Sequence, residues 1–414
     1  MSVGGRMKSH LRHDKRKEDA ARTALVAVAL LIMFRPESAK VLQQASPEPI
    51  ENAITLALEQ GANKQASADL DQLLAQPQAD STLVLRVGIA FAQKGLYSEA
   101  SRAFTRVVND RPDLFEGHYN LALSELAEGQ LHPALEAIEQ APHASEEDVT
   151  ARLYLRGKIR AALGEGPQAE QDLSAAFAKQ PGQENYALDL GLLYLRAHAY
   201  TKSESVFARG LKSNPRSPYL LLGLALAQFL GGRTSQSVDA ARRLVAAEPD
   251  FSPARLLLGF TLYFDGNLDA ARRVASDGLA LPDPNPYLYY LDAAALLKQH
   301  GGEYARILSD LGAAEKALPA CALCYVASGK AREEQNDLAG ALSDFQTAVR
   351  LAPGLSEGWY HLATVADRMG KREQATEARQ HFQQMKASED EREKEMMRDV
   401  LLQNLGAEGP GAPP

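Results

Sequence analysis

Eight glycines end apolar helical stretches at near-constant intervals: Gly61, Gly95, Gly129, Gly164, Gly232, Gly266, Gly302 and Gly370. Their spacings are 34, 34, 35, 68, 34, 36 and 68 residues. In the two gaps of 68, His198 and Asn336 stand where a further glycine would fall. Prolines run in the same frame, with Pro181, Pro215 and Pro249 spaced by 34 residues and Pro319 and Pro353 likewise. A period in this range, held over most of a chain, means an array of one supersecondary unit. Each unit buries its apolar face only against its neighbours.

The residues inside one period say what the unit is. In "STLVLRVGIAFAQKGLYSEASRAFTRVVNDRP", from Ser81, the side chains of Val84, Val87, Gly88 and Phe91 share one helix face. Gly95 then ends that helix, since it can take the left-handed conformation that a tight turn requires. Ala100, Phe104 and Val107 share one face of a second helix, and Pro112 follows, where the helix cannot continue. The small residue at Gly88 lets the two helices approach closely at Ala100 and Phe104. β-branched runs are few, which argues against strands.

This pattern resembles the tetratricopeptide repeat. Three other windows carry it well. One holds Leu190, Gly191, Tyr194, Ser203, Phe207, Gly210 and Pro215. Another holds Tyr325, Gly329, Arg332, Ala341, Phe345, Ala348 and Pro353, and the last holds Trp359, Leu362, Ala363, Ala366, Gly370 and Ala375. The resemblance implies an all-α fold, a right-handed superhelical solenoid of antiparallel helix pairs. In one register there are ten units within 47–389: 47–80, 81–114, 115–149, 150–183, 184–217, 218–251, 252–287, 288–321, 322–355 and 356–389. Departures are local. Pro142 cuts the second helix of the third unit short, and "HASEEDV" reads as a polar linker at which the array bends. Arg156 takes a place where leucine is usual, which reads as a defect in the packing of that unit, and three prolines in "LPDPNPYLYY" lengthen a turn. Residues 388–405 read as a capping helix with Met397, Val400, Leu401 and Leu405 on one side, and 406–414 as a disordered tail.

The N-terminus differs from the body. Residues 1–22 are basic, with seven Lys/Arg against three Asp/Glu between Arg6 and Arg22. The chain's net charge of −8 therefore leaves the remainder near −12. An acidic body argues against nucleic acid as a partner, because phosphate binding needs a cationic face. Residues 23–34, "TALVAVALLIMF", span about 18 Å as a helix, short for a membrane crossing and of the length of a signal-peptide core. A linker, 35–46, follows. Export with cleavage, or anchoring with the basic end in the cytoplasm, both place the repeats outside the cytoplasm, in a periplasm or its equivalent. A cytoplasmic protein with a short N-terminal helix is the alternative.

No sequence signature of catalysis, phosphate binding or calcium binding is present, and the nine histidines do not pair at metal-ligand spacing. No catalytic residue, metal or cofactor is expected. The resemblance directs attention instead to the inner face, where first-helix positions line a concave groove. Those positions hold Leu188, Leu192, Leu195, Arg196, Tyr219, Leu222, Leu226, Phe229, Leu256, Phe260, Tyr263 and Phe264, continued by Tyr289 and Leu296. Later units turn charged, with Lys330, Glu333, Glu334, Asp367 and Arg368. One reading is a groove for an apolar segment of a protein or peptide partner. The other is that these side chains pack on one another. The clamp with which some members of the family hold a C-terminal carboxylate is not matched: Asn52 and Asn120 occur at one of its asparagine positions, but Glu51, Leu85 and Tyr119 occupy the lysine's. The expected function is a non-catalytic scaffold, or an accessory subunit of an envelope enzyme or transport machine.

The only two cysteines, Cys321 and Cys324 in "ACALCY", fall at the joint between the eighth and ninth units, at a helix N-terminus. They read as two small packing residues, a local disulfide, or a redox or metal pair. No histidine follows Cys324, which excludes covalent haem attachment by pattern. A zinc site would need a second pair.

Overall fold

The computed structural model describes residues 49–142 and 145–385. The stretches 1–22, 23–34, 35–46, 388–405 and 406–414 lie outside them. Among the described residues there are twenty helices and no strand, in ten consecutive pairs. Eight helices precede the end of a first compact unit at Gln180: α1 (Pro49–Glu59), α2 (Asn63–Leu74), α3 (Ser81–Gln93), α4 (Tyr97–Asp110), α5 (Phe115–Ala127), α6 (Leu131–Gln140), α7 (Glu146–Ala162) and α8 (Gly166–Lys179). Twelve follow in a second unit that begins at Pro181: α9 (Glu184–Arg196), α10 (Tyr200–Ser213), α11 (Pro218–Leu230), α12 (Thr234–Ala247), α13 (Ser252–Phe264), α14 (Leu268–Leu279), α15 (Tyr287–Lys298), α16 (Tyr304–Ala317), α17 (Ala322–Glu334), α18 (Leu338–Leu351), α19 (Ser356–Arg368) and α20 (Arg372–Met385).

Within each unit a helix packs on the next in sequence, and first helices also touch the first helix of the following pair. Small residues set the spacing. A Cβ on Gly88 would lie 2.6 Å from the Phe104 ring, and one on Gly329 2.6 Å from Phe345. Phe207 is held on both sides, with Gly191 and Gly223 each too close to its ring to carry a side chain. Phe104, Phe207 and Phe345 are fully buried; each locks the two helices of its own pair, and Phe207 also keys its pair into the next.

Nine of the ten turns within pairs share one geometry. In the other, between α15 and α16, His300 (φ 51°) rather than Gly302 takes the turn position, with its N–H donating to the Leu297 carbonyl, so Gly302 does not end that helix. Gly95 has φ 73°, with its N–H donating to the Ala92 carbonyl and the Leu96 N–H to that of Phe91. That is the Schellman arrangement, which satisfies the last carbonyls of a helix. His198 (φ 56°) and Asn336 (φ 63°) adopt it too and make the equivalent bonds, although neither is glycine. The periodicity therefore marked a backbone requirement, and the two substitutes bear its steric cost.

Two local readings change. "HASEEDV" is not a linker throughout, because Glu146–Val149 form the first turn of the 17-residue α7. Ser145 caps it: its hydroxyl accepts from the Asp148 N–H at 3.1 Å, and the Asp148 carboxylate accepts from the Ser145 N–H at 3.2 Å. This reciprocal capping box was present in the sequence as Ser-x-x-Asp. Arg156 is not a packing defect either. It makes two hydrogen bonds, at 2.6 and 2.8 Å, to the buried Asp172 on α8, which also pairs with Arg160.

Candidate partner-binding face

Helices α9, α11, α13 and α15 carry the candidate positions, and burial divides them sharply. Leu192, Leu195, Leu222, Leu226, Phe229, Leu256, Phe260 and Leu296 lie in the interior, with Leu226 and Leu256 fully covered. The cause is the sequence itself. Helix α11 reads PYLLLGLALAQFL, with apolar residues on every side, and all of Leu220–Phe229 is buried. Such a helix belongs inside a core. For these eight side chains, self-packing is what the structure shows, and a partner could not reach them without rearrangement.

The rest reach the surface. Tyr219 is 40% exposed, Arg196 is exposed, and Leu188, Tyr263, Phe264 and Tyr289 are half-buried. Ring contacts position Tyr219, Tyr263 and Phe264. Tyr219 meets Phe251 edge-on at 6.0 Å. Phe264 lies 5.5 Å from Phe229 and 5.3 Å from Tyr263, edge-on to the latter. The Lys298 ammonium sits 4.6 Å above the Tyr263 ring, close enough for a cation–π attraction. Rings fixed in this way present apolar area with little ordering left to do on binding.

Toward the C-terminal end of the second unit the same helix positions carry ion pairs. Lys330 meets Glu357 at 2.7 Å. Glu333 accepts from Arg368 at 3.2 Å and lies 3.0 Å from the His361 imidazole. Tyr304 donates to Glu334 at 2.6 Å. One exposed aromatic escaped the sequence reading: Tyr360, 50% exposed and 5.5 Å from Phe382. It occupies the same register position as Leu188, Leu222 and Leu256, so the repeat frame alone would have found it.

Cys321 and Cys324 are joined in a disulfide. Cys321 is the N-cap of α17, and its sulfur accepts from the Cys324 N–H at 3.2 Å. Both residues are also buried, Cys324 completely, so the bond forms inside the packing that the sequence suggested. Among the described residues no group of three or more His, Cys, Asp or Glu side chains is placed to hold a metal ion. No helix among them is long and apolar enough to cross a membrane.

Comparison with known proteins finds these similarities. The tetratricopeptide repeat model matches residues 154–218 and 188–253. Human tetratricopeptide repeat protein 13 is 25% identical over 187 residues, 42% of this chain and 21% of its own length. U-box domain-containing protein 70 of Oryza sativa subsp. japonica is 25% identical over 282 residues, 64% of this chain and 32% of its own. The chain thus spans about a fifth to a third of the length of these curated relatives. Among solved structures, a tetratricopeptide repeat protein from Parabacteroides merdae aligns with a TM-score of 0.47 at 20% identity, over 61% of this chain and 98% of that one.

Proposed function

Because the chain belongs to the tetratricopeptide repeat family, we propose that it is a non-catalytic scaffold that holds a protein or peptide partner against the second unit. Proteins of this family typically bind proteins or peptides. The observation that carries the reading is the set of solvent-reaching aromatics on the first helices, Tyr219, Tyr263, Phe264 and Tyr289, the first three fixed by ring contacts. An apolar partner segment gains burial there, while the stacked helices behind it lose little freedom. Arg196 and Lys298 add cationic edges suited to a segment with flanking carboxylates. We place the scaffold in an exported or membrane-tethered complex. The basic-then-apolar N-terminus supports this.

The test uses Tyr219→Asp and Tyr263→Asp with affinity capture from detergent-solubilised membranes. Both variants are expected to keep the wild-type circular dichroism melt and to lose a partner that the wild-type chain retains. Retention of that partner by both folded variants would remove this face from the function. Turnover of a small molecule by the pure chain would remove the scaffold reading itself.

A further inference from the structure

We infer that the Cys321–Cys324 disulfide is a reversible thiol–disulfide exchange site rather than a structural staple. Three observations carry it. First, the fold around it does not need the bond. The turn is already closed by the Cys321 N–H to the Leu318 carbonyl and by the Cys324 N–H to the Cys321 carbonyl, each at 3.0 Å. The ring encloses only a three-residue separation, and a loop that short removes little freedom from the unfolded chain.

Second, the two sulfurs are unequal. Cys321, though buried, keeps 6% of its surface exposed and adjoins the exposed Pro319 and Ala320, while Cys324 is wholly interior. Third, Cys321 is the N-cap of a 13-residue helix and its sulfur already accepts a backbone N–H. A thiolate there is stabilised by that donor and by the helix N-terminus, which favours the reduced pair and makes the bond easier to open.

The co-reactant is a dithiol. One of its thiolates attacks the Cys321 sulfur, and the electron pair of the S–S bond passes to the Cys324 sulfur, which takes up a proton. The second thiol of the reagent, as thiolate, then attacks the reagent's own sulfur in the mixed disulfide. Cys321 leaves as a thiolate, held by the Cys324 N–H. The dithiol becomes a disulfide and the protein gains two electrons. The reverse sequence, driven by a disulfide oxidant, restores the bond and fastens the start of α17 again.

The full-length protein, purified without reductant, provides the test, with dithiothreitol as the dithiol and alkylation followed by mass measurement as the readout. No alkylatable thiol is expected before reduction and two after it, in the folded state. In the reduced protein, Cys321 is expected to react with iodoacetamide at least tenfold faster than Cys324. Its pH midpoint should lie below the value of about 8.5 for free cysteine. Oxidised glutathione should close the bond again. Two thiols in the untreated protein, a bond that opens only in denaturant, or a Cys321 midpoint at or above 8.5 would each overturn the inference. Cys324→Ser isolates Cys321 for the rate measurement. If that variant does not fold, peptide-resolved alkylation of the reduced wild-type chain gives the same answer. None of these readouts involves a partner, so they stand or fall apart from the scaffold reading.

Discussion

Helices α11, α13 and α15 and helices α17 and α19 occupy equivalent places in the repeat and solve the same packing problem differently. In the first group the side chains that a repeat frame aims inward are leucines and aromatics, and most of them, Leu222, Leu226, Phe229, Leu256, Phe260 and Leu296, are buried. In the second group, equivalent places hold Lys330, Glu333, Glu357 and Arg368, bound to one another across the joint. Burial of apolar area is strong and tolerates few substitutions. Surface ion pairs contribute little and tolerate many. The repeat frame thus fixes where a side chain sits. Its chemistry decides whether that place is core or surface.

That contrast can be broken by substitution, starting with its largest expected effect. Leu226→Asp puts a charge where no solvent reaches. It is expected to cost more than about 4 kcal/mol, the range reached when an unpaired charge is buried, and to abolish the cooperative urea transition. Gly223→Ala comes next. Its Cβ would lie 2.5 Å from a Phe207 ring already pressed by Gly191 from the other side. A loss of about 1–3 kcal/mol is expected from overpacking, partly offset by alanine's better helix propensity. Gly329→Ala meets one ring from one side only and should lose less in the same urea titration.

Glu333→Ala, which removes both the Arg368 and the His361 contacts, is expected to cost about 1 kcal/mol or less, and less again in 0.5 M salt. A larger, salt-insensitive loss would mean that the charged end is as much a core as the apolar middle.

The smallest effect contrasts these paired carboxylates with an unpaired one. One oxygen of Glu125 on α5 is buried without a hydrogen-bond partner. Burial first, then the nearby Glu128 and Glu136, raises its pKa from an ordinary 4.5 to about 7. A carboxyl raised in the folded state holds its proton longer there than in the unfolded chain. Its contribution is therefore complete below pH 4.5 and is lost as the pH rises through 7. Glu125→Gln should flatten the fall in melting temperature between pH 5 and 7.5, measured by thermal circular dichroism.

Much of the fold could be read from the chain because the marks of the repeat are backbone requirements. Gly95 and its counterparts, with His198 and Asn336 standing in, occupy positive-φ turn positions, and Pro112 and Pro215 follow helices. The candidate face was less legible. Position in the repeat aims Phe260 and Tyr263 at the same side, yet one is buried and the other half-exposed. That outcome depends on how far neighbouring side chains reach across, which a periodic pattern does not contain. Arg156 was misjudged for a related reason: its partner, Asp172, stands sixteen residues away on the next helix. The disulfide was one of three readings because three-residue spacing at a helix start suits packing, bonding and redox or metal chemistry alike.

Contacts in each unit run almost entirely between a helix and its next one or two neighbours. A chain wired in this way needs no distant encounter to begin folding, so loop closure costs little and any well-packed pair can serve as a nucleus. Opening is equally local. Hydrogen exchange should be slowest in α11, α13 and α15, which are covered on nearly every side, and faster in α19 and α20. Its loss would proceed in steps of one helix pair instead of a single event.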